Sequence, residues 1–184
     1  MIEYEDRLEV SWEADETVDE READRLDARN LAVLASVAAV EEGTSHRLRE
    51  EQPELYNELE RLNARIDLLI DMMARLLSER REPGEARRVR MAVSRIGFIA
   101  APGEGNPGER GRLRLVLHAS APEPLTLAGR ITGQAHDSEQ QRWLRFEPFE
   151  LSGHLRDALS QLVFRHHRRM VAEQRSRRDH AEQG

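Results

Sequence analysis

Three sets of residues in this sequence have types and spacings that chemistry could use. His166 and His167 stand side by side near the C-terminus. On a helix, adjacent side chains diverge, which is poor geometry for gripping one metal ion. His46, His118, His136 and His154 are scattered, and no His-Glu-x-x-His spacing occurs, so no metal site is expected. His166 is read as lying on the packed face of a helix, with His167 beside the neighbouring arginines. Gly103-Glu-Gly105-Asn-Pro-Gly108 spells G-x-G-x-x-G. A dinucleotide fingerprint needs a strand before it and a helix after it, to aim backbone amides at a pyrophosphate. Here Pro107 intervenes and strand-like residues follow, so the expectation is a hairpin loop. The third set is the basic run Arg165-His-His-Arg168-Arg169 with Arg175, Arg177 and Arg178. It lacks the interleaved aromatics of single-strand readers and belongs to an acidic chain, so nucleic acid is not the expected partner. Neither G-x-S-x-G nor a P-loop is present, and the carboxylates are spread over helical surfaces. The sequence therefore reads as a non-enzyme without a cofactor.

What would position these groups is a helical region followed by strands. From about Val18 to Glu42, apolar residues recur at three- and four-residue steps, and Gly43 is placed to end a helix. After Pro53, residues Leu55, Leu59, Leu62, Ile66, Leu69, Met73 and Leu76 keep unbroken 4-3 spacing until Pro83-Gly84. With Leu59, Ile66 and Met73 at a, and Leu55, Leu62, Leu69 and Leu76 at d, the e positions include Ile70 and Leu77. Such a stripe is wider than a two-stranded seam needs. It predicts self-association, or a helical hairpin made with the preceding helix.

Beyond Pro83 the period becomes two: Val89, Met91 and Val93; Leu113, Leu115 and Leu117; Leu125, Leu127 and Ile131; Leu144 and Phe146. Turn sequences separate these runs, and the Pro102–Gly111 loop alone holds four glycines and two prolines. A last helix is expected from about Leu151 to Glu173, with Leu155, Leu159, Leu162, Val163 and Met170 on one face. Residues 1–17, with Leu8, Val10 and Trp12 alternating among acids, fit a short edge strand or a docking arm.

The division that follows is an acidic arm at 1–24, a helical hairpin or coiled-coil oligomerisation region at 25–82, a small barrel with its C-terminal helix at 85–176, and a disordered tail at 177–184. Charge supports the first and last of these, since residues 1–24 hold eleven acids against two arginines while the other end is basic. The net charge of −7 comes from 35 acids against 28 arginines, with no lysine. There is no cysteine, no basic leader, and no apolar run of the roughly 20 residues that would cross a bilayer. A cytoplasmic protein without membrane insertion is the expectation.

The segment Arg90-Met-Ala-Val-Ser94-Arg-Ile-Gly97-Phe-Ile99, then Leu113–His118, Leu125–Gly133, Trp143-Leu-Arg-Phe-Glu147 and the helix ending Phe164–Arg169, resembles a PilZ domain. The helix Leu59–Ile70 is similar to the extension of a divergent branch of that family whose members form tetramers. The resemblance implies an α+β fold: N-terminal helices forming a coiled coil, then a six-stranded antiparallel barrel and a C-terminal helix. It also implies a place in cyclic di-GMP signalling, in motility, pilus function or virulence. PilZ domains take that nucleotide with an Arg-x-x-x-Arg pair and an Asp/Asn-x-Ser-x-x-Gly turn. Ser94 and Gly97 keep the turn, but Ala92 stands where the acid or amide belongs. Arg87, Arg88, Arg90 and Arg95 lie beside it at the wrong mutual spacing. The resemblance therefore implies a homotetrameric scaffold for an unidentified signalling protein. Its alternative is a receptor using those arginines with Ser94 in a nonstandard site.

Overall fold

The alternating runs form strands because alternation lets each turn one face to a core and the other to water. The computed structural model describes residues 2–42, 85–118 and 123–181, with ten helical positions between 54 and 72. Its strands are β1 (Tyr4–Ala14), β2 (Glu85–Ala92), β3 (Arg95–Ile99), β4 (Arg110–Val116), β5 (Leu125–His136) and β6 (Arg142–Pro148). Helix α1 (Glu20–Glu42) follows β1, and α2 (Gly153–Ala181) follows β6. Every strand pairing is antiparallel, and the order β1-β2-β3-β6-β5-β4 closes into a barrel with no free edge. Val10, Met91, Phe98, Leu113, Leu115, Leu127, Ile131, Leu144 and Phe146 fill it, none more than 2% exposed.

The six-stranded barrel and its C-terminal helix are as expected, but residues 85–148 supply only five of the strands. The sixth is β1, which closes the barrel between β2 and β4. The division of an acidic arm at 1–24 from a barrel beginning at 85 is thus corrected. Tyr4, Leu8 and Val10 face the core, while the acids Glu5, Glu9 and Glu13 face out among arginines of the neighbouring strands.

Helix α1 starts under an Asp19 cap whose Oδ1 accepts the Glu22 N–H at 3.1 Å. Its apolar face does not serve a coiled coil: Val33, Leu34 and Val37 belong to the same core cluster as the barrel residues, and the helix lies against β5 and α2. Before the remaining strands, the described fold therefore has one strand and one barrel-packed helix, and N-terminal coiled-coil helices are not seen. A hairpin register is overridden because the sheet offers that face a complete cover. Asn30, 1% exposed, fixes the docking by donating to the Thr126 carbonyl at 2.8 Å and accepting the Thr126 N–H at 3.0 Å. Asn30→Leu strands both backbone groups without water, so urea unfolding is expected to show a loss of about 1–3 kcal/mol.

Of the heptad residues, Leu62, Ile66 and Leu69 are helical and 50%, 50% and 60% exposed. Leu55, Leu59, Ile70, Met73, Leu76 and Leu77 lie outside the described residues. Helix α2 buries Leu155, Leu159, Leu162 and Val163 against the barrel and continues to Ala181, beyond the expected end at Glu173. The tail assigned to 177–184 is thus helical through Ala181, as its run of arginine, alanine and glutamine permits.

The glycine-rich loop is not a hairpin. It joins β3 to β4, which are not neighbours, and so crosses one end of the barrel. Gly105 takes φ +64°, and a Cβ there would stand 2.8 Å from Leu144 Cδ1, so this crossing requires glycine. Among the described residues, no helix is long and apolar enough to cross a membrane.

Candidate functional site

Strands β2 and β3 form a hairpin in which Ala92 pairs with Arg95, leaving Val93 and Ser94 as its turn. Alternation along β2 sends Arg87 inward and Arg88 and Arg90 outward. Arg87 is 9% exposed and is committed to the fold. It donates to the Val10 carbonyl at 2.5 Å and the Ile99 carbonyl at 2.9 Å, and forks onto the Glu104 carboxylate, with the Nη2 to Oε1 contact at 3.1 Å. Glu104 also accepts the backbone N–H groups of Ala101 and Trp12 at 2.7 and 3.3 Å. Burial works to raise the Glu104 carboxyl, yet the Arg87 guanidinium and those amides outweigh it and hold it below the ordinary glutamate range. Arg87 thereby leaves the set of candidate ligand residues, because it is buried in the barrel and both of its terminal nitrogens are engaged there.

The outward residues do gather. Arg90 Nε donates to Glu5 Oε2 at 2.9 Å, and Arg88 Nε to Glu5 Oε1 at 2.7 Å. Burial again works to raise Glu5, and the two guanidiniums hold it below its ordinary range. Arg95 stands 3.6 Å from Glu3. The Arg90 guanidinium lies 4.3 Å from the ring centre of Trp143, and that of Arg88 5.5 Å. The indole N–H donates to Asp137 Oδ2 at 3.0 Å; this bond, with the amides of Gln141 and Glu139 and the charge of Arg88, lowers the Asp137 carboxyl. Ser94 is exposed at the turn. Gly97 does not relieve strain, since its φ is not left-handed; a Cβ there would make ordinary contacts with Trp143 and Arg90 at 3.6 and 3.7 Å.

Beside the indole is a cleft of about 230 Å³ whose lining includes Arg90, Arg95, Arg145, Trp143 and Gly133, with Glu3 its one carboxylate. A larger cleft, about 480 Å³, lies elsewhere, between the start of α1 and the end of β6. Its Arg21, Arg110 and Arg130 are mixed with Asp19, Glu20, Glu147 and Glu150, so it presents no single sign of charge to a ligand. No cluster suited to a metal ion occurs among the described residues.

Sequence reading missed Glu5, Trp143 and Asp137. One signal was available: Leu144 and Phe146 face inward, so Trp143 must face outward, an unusual place for one of only two tryptophans.

The family model for the atypical PilZ domain, described as a cyclic di-GMP receptor, matches residues 34–177. The chain belongs to the atypical PilZ family. A pathogenic protein from Xanthomonas campestris, a tetrameric PilZ domain self-assembled through a helical bundle, matches with a TM-score of 0.72 and 28% identity, over 93% of this chain and 91% of its own. The Bacillus subtilis inhibitor of motility, MotI/DgrA, matches over 41% of this chain and 38% of its own, at 20% identity and a TM-score of 0.36. The PilZ domain of YcgR from Escherichia coli, solved with cyclic di-GMP, matches over 52% and 80%, at 16% identity and 0.35. No curated protein sequence matches.

Proposed function

We propose that this PilZ-family protein is a non-enzymatic, oligomeric interaction scaffold of cyclic di-GMP signalling, in which the helix between β1–α1 and the barrel sets the subunit number. The observation that carries this is the exposure of Leu62, Ile66 and Leu69, an apolar row at 4-3 spacing that α1 does not cover. Met72, 55% exposed at the g position that flanks the seam, widens the row as a bundle of more than two helices would require. Support also comes from the similar tetramer of the Xanthomonas protein. The arginines of the motif region point the same way, since Arg87, Arg88, Arg90 and Arg95 each face a carboxylate of this chain. Mass by light scattering after size exclusion is expected to give a tetramer, unchanged by cyclic di-GMP. A monomer would remove the scaffold reading. A mass that moves with nucleotide would favour the second reading, a receptor, for which the cleft among Arg90, Arg95, Arg145 and Trp143 is the supporting feature.

A further inference from the structure

Trp143 is buried in an unusual way. It lies on the outer side of β6, outside the hydrophobic core cluster, yet is only 6% exposed. An outward tryptophan on a strand would ordinarily keep much of its ring in solvent. Here Arg90 and Arg88 lie over the ring, and both arginines also grip Glu5. These are the two things a guanidinium does for a nucleotide: its plane stacks on a heterocycle, and its N–H groups fork onto phosphate oxygens. The parallel extends to Asp137, which accepts the indole N–H as a carboxylate would accept a purine ring N–H.

We infer that the outer face of β2, β3 and β6 is a base-and-phosphate site that the chain fills with its own side chains, Trp143 where a purine would stack and Glu5 where a phosphate would be gripped. The adjacent cleft is the remainder of this site, and Arg145, which makes no ion pair among the described residues, is its unclaimed cation. The inference rests on the reading that the motif region is silent in the unaltered chain, and supplies the reason: a nucleotide must displace two partners already in contact.

The test is calorimetric titration of the full chain with cyclic di-GMP and with GMP. The unaltered protein is expected to give no binding heat, Glu5→Gln to bind measurably, and Glu5→Gln with Trp143→Ala to bind at least tenfold tighter than Glu5→Gln alone, about 1.4 kcal/mol. Trp143→Ala opens a void and could loosen β6, so Glu5→Gln, which keeps side-chain size, decides the question by itself: no gain over the unaltered chain sinks the inference. Equal binding by the unaltered chain sinks it too. A monomeric mass would remove the scaffold while leaving a gain of binding intact, so the two readings fail separately.

Discussion

Arg87→Ala is expected to destabilise the barrel by about 3–5 kcal/mol, a large part of the stability of a domain this size. Arg87 is a hub. Its guanidinium ties β2 to the Val10 carbonyl of β1, to the Ile99 carbonyl at the end of β3, and to Glu104 in the loop that crosses the barrel end. Removing it leaves the Glu104 carboxylate 15% exposed with no countercharge, and burying an unpaired charge is what makes breaking such a pair expensive. Glu104→Gln should also destabilise, because its one amide oxygen can keep only one of the Ala101 and Trp12 N–H bonds, which fall on different carboxylate oxygens, and Arg87 is left buried without its countercharge. Arg142 would still hold the loop through the Glu104 and Gly105 carbonyls. The sign with pH follows. The folded state holds Glu104 below its ordinary value of 4.5. The pair's contribution is therefore complete above that value and disappears as pH falls through the lowered one. Chemical denaturation of Arg87→Ala at neutral and acid pH should show the difference from the unaltered protein shrinking on acidification. Equal stability at neutral pH would mean the hub is not structural, and would return Arg87 to the ligand candidates.

The same residue shows how much was legible in the sequence. Alternation located β2, β4, β5 and β6, and the turn chemistry separated them, because burial of one face is a local property that a strand carries along its length, whereas the short β3 was covered only by the PilZ resemblance. That alternation, followed from Val89 and Met91 back to Arg87, already places Arg87 inward, yet an arginine facing inward is recognisable only once its partner is known. Glu104 is seventeen residues away in a loop whose path depends on barrel closure. The place of β1 was hidden for a similar reason. Its alternating Tyr4, Leu8 and Val10 fit an edge strand equally well, and only pairing with both β2 and β4 distinguishes a closing strand from an arm. The site suffered most, because Glu5, Trp143 and Asp137 come from three segments that no spacing rule connects. The PilZ resemblance supplied the β2–β3 turn but said nothing of the carboxylates that this chain sets against its arginines.

Leu62→Glu or Ile66→Glu is expected to convert the assembly into single chains. Both residues are about half exposed in one chain, so neither change removes a core contact of the barrel, and thermal unfolding of the barrel itself should move little. The effect falls on the proposed seam between chains, where each substitution repeats in every subunit. A glutamate buried there without a partner must shed its hydration or titrate, and either outcome works against association by several kcal/mol per ion. Leu68→Glu provides the comparison. Leu68 is as exposed, at 61%, but occupies the c position of the heptad, and on the rim of a bundle its charge could remain in water. Loss of mass in Leu62→Glu and Ile66→Glu with retention in Leu68→Glu would fix both the interface and its register. The reverse pattern would place the contact on the other side of the helix, and unchanged mass in all three would mean that chains do not meet through this helix.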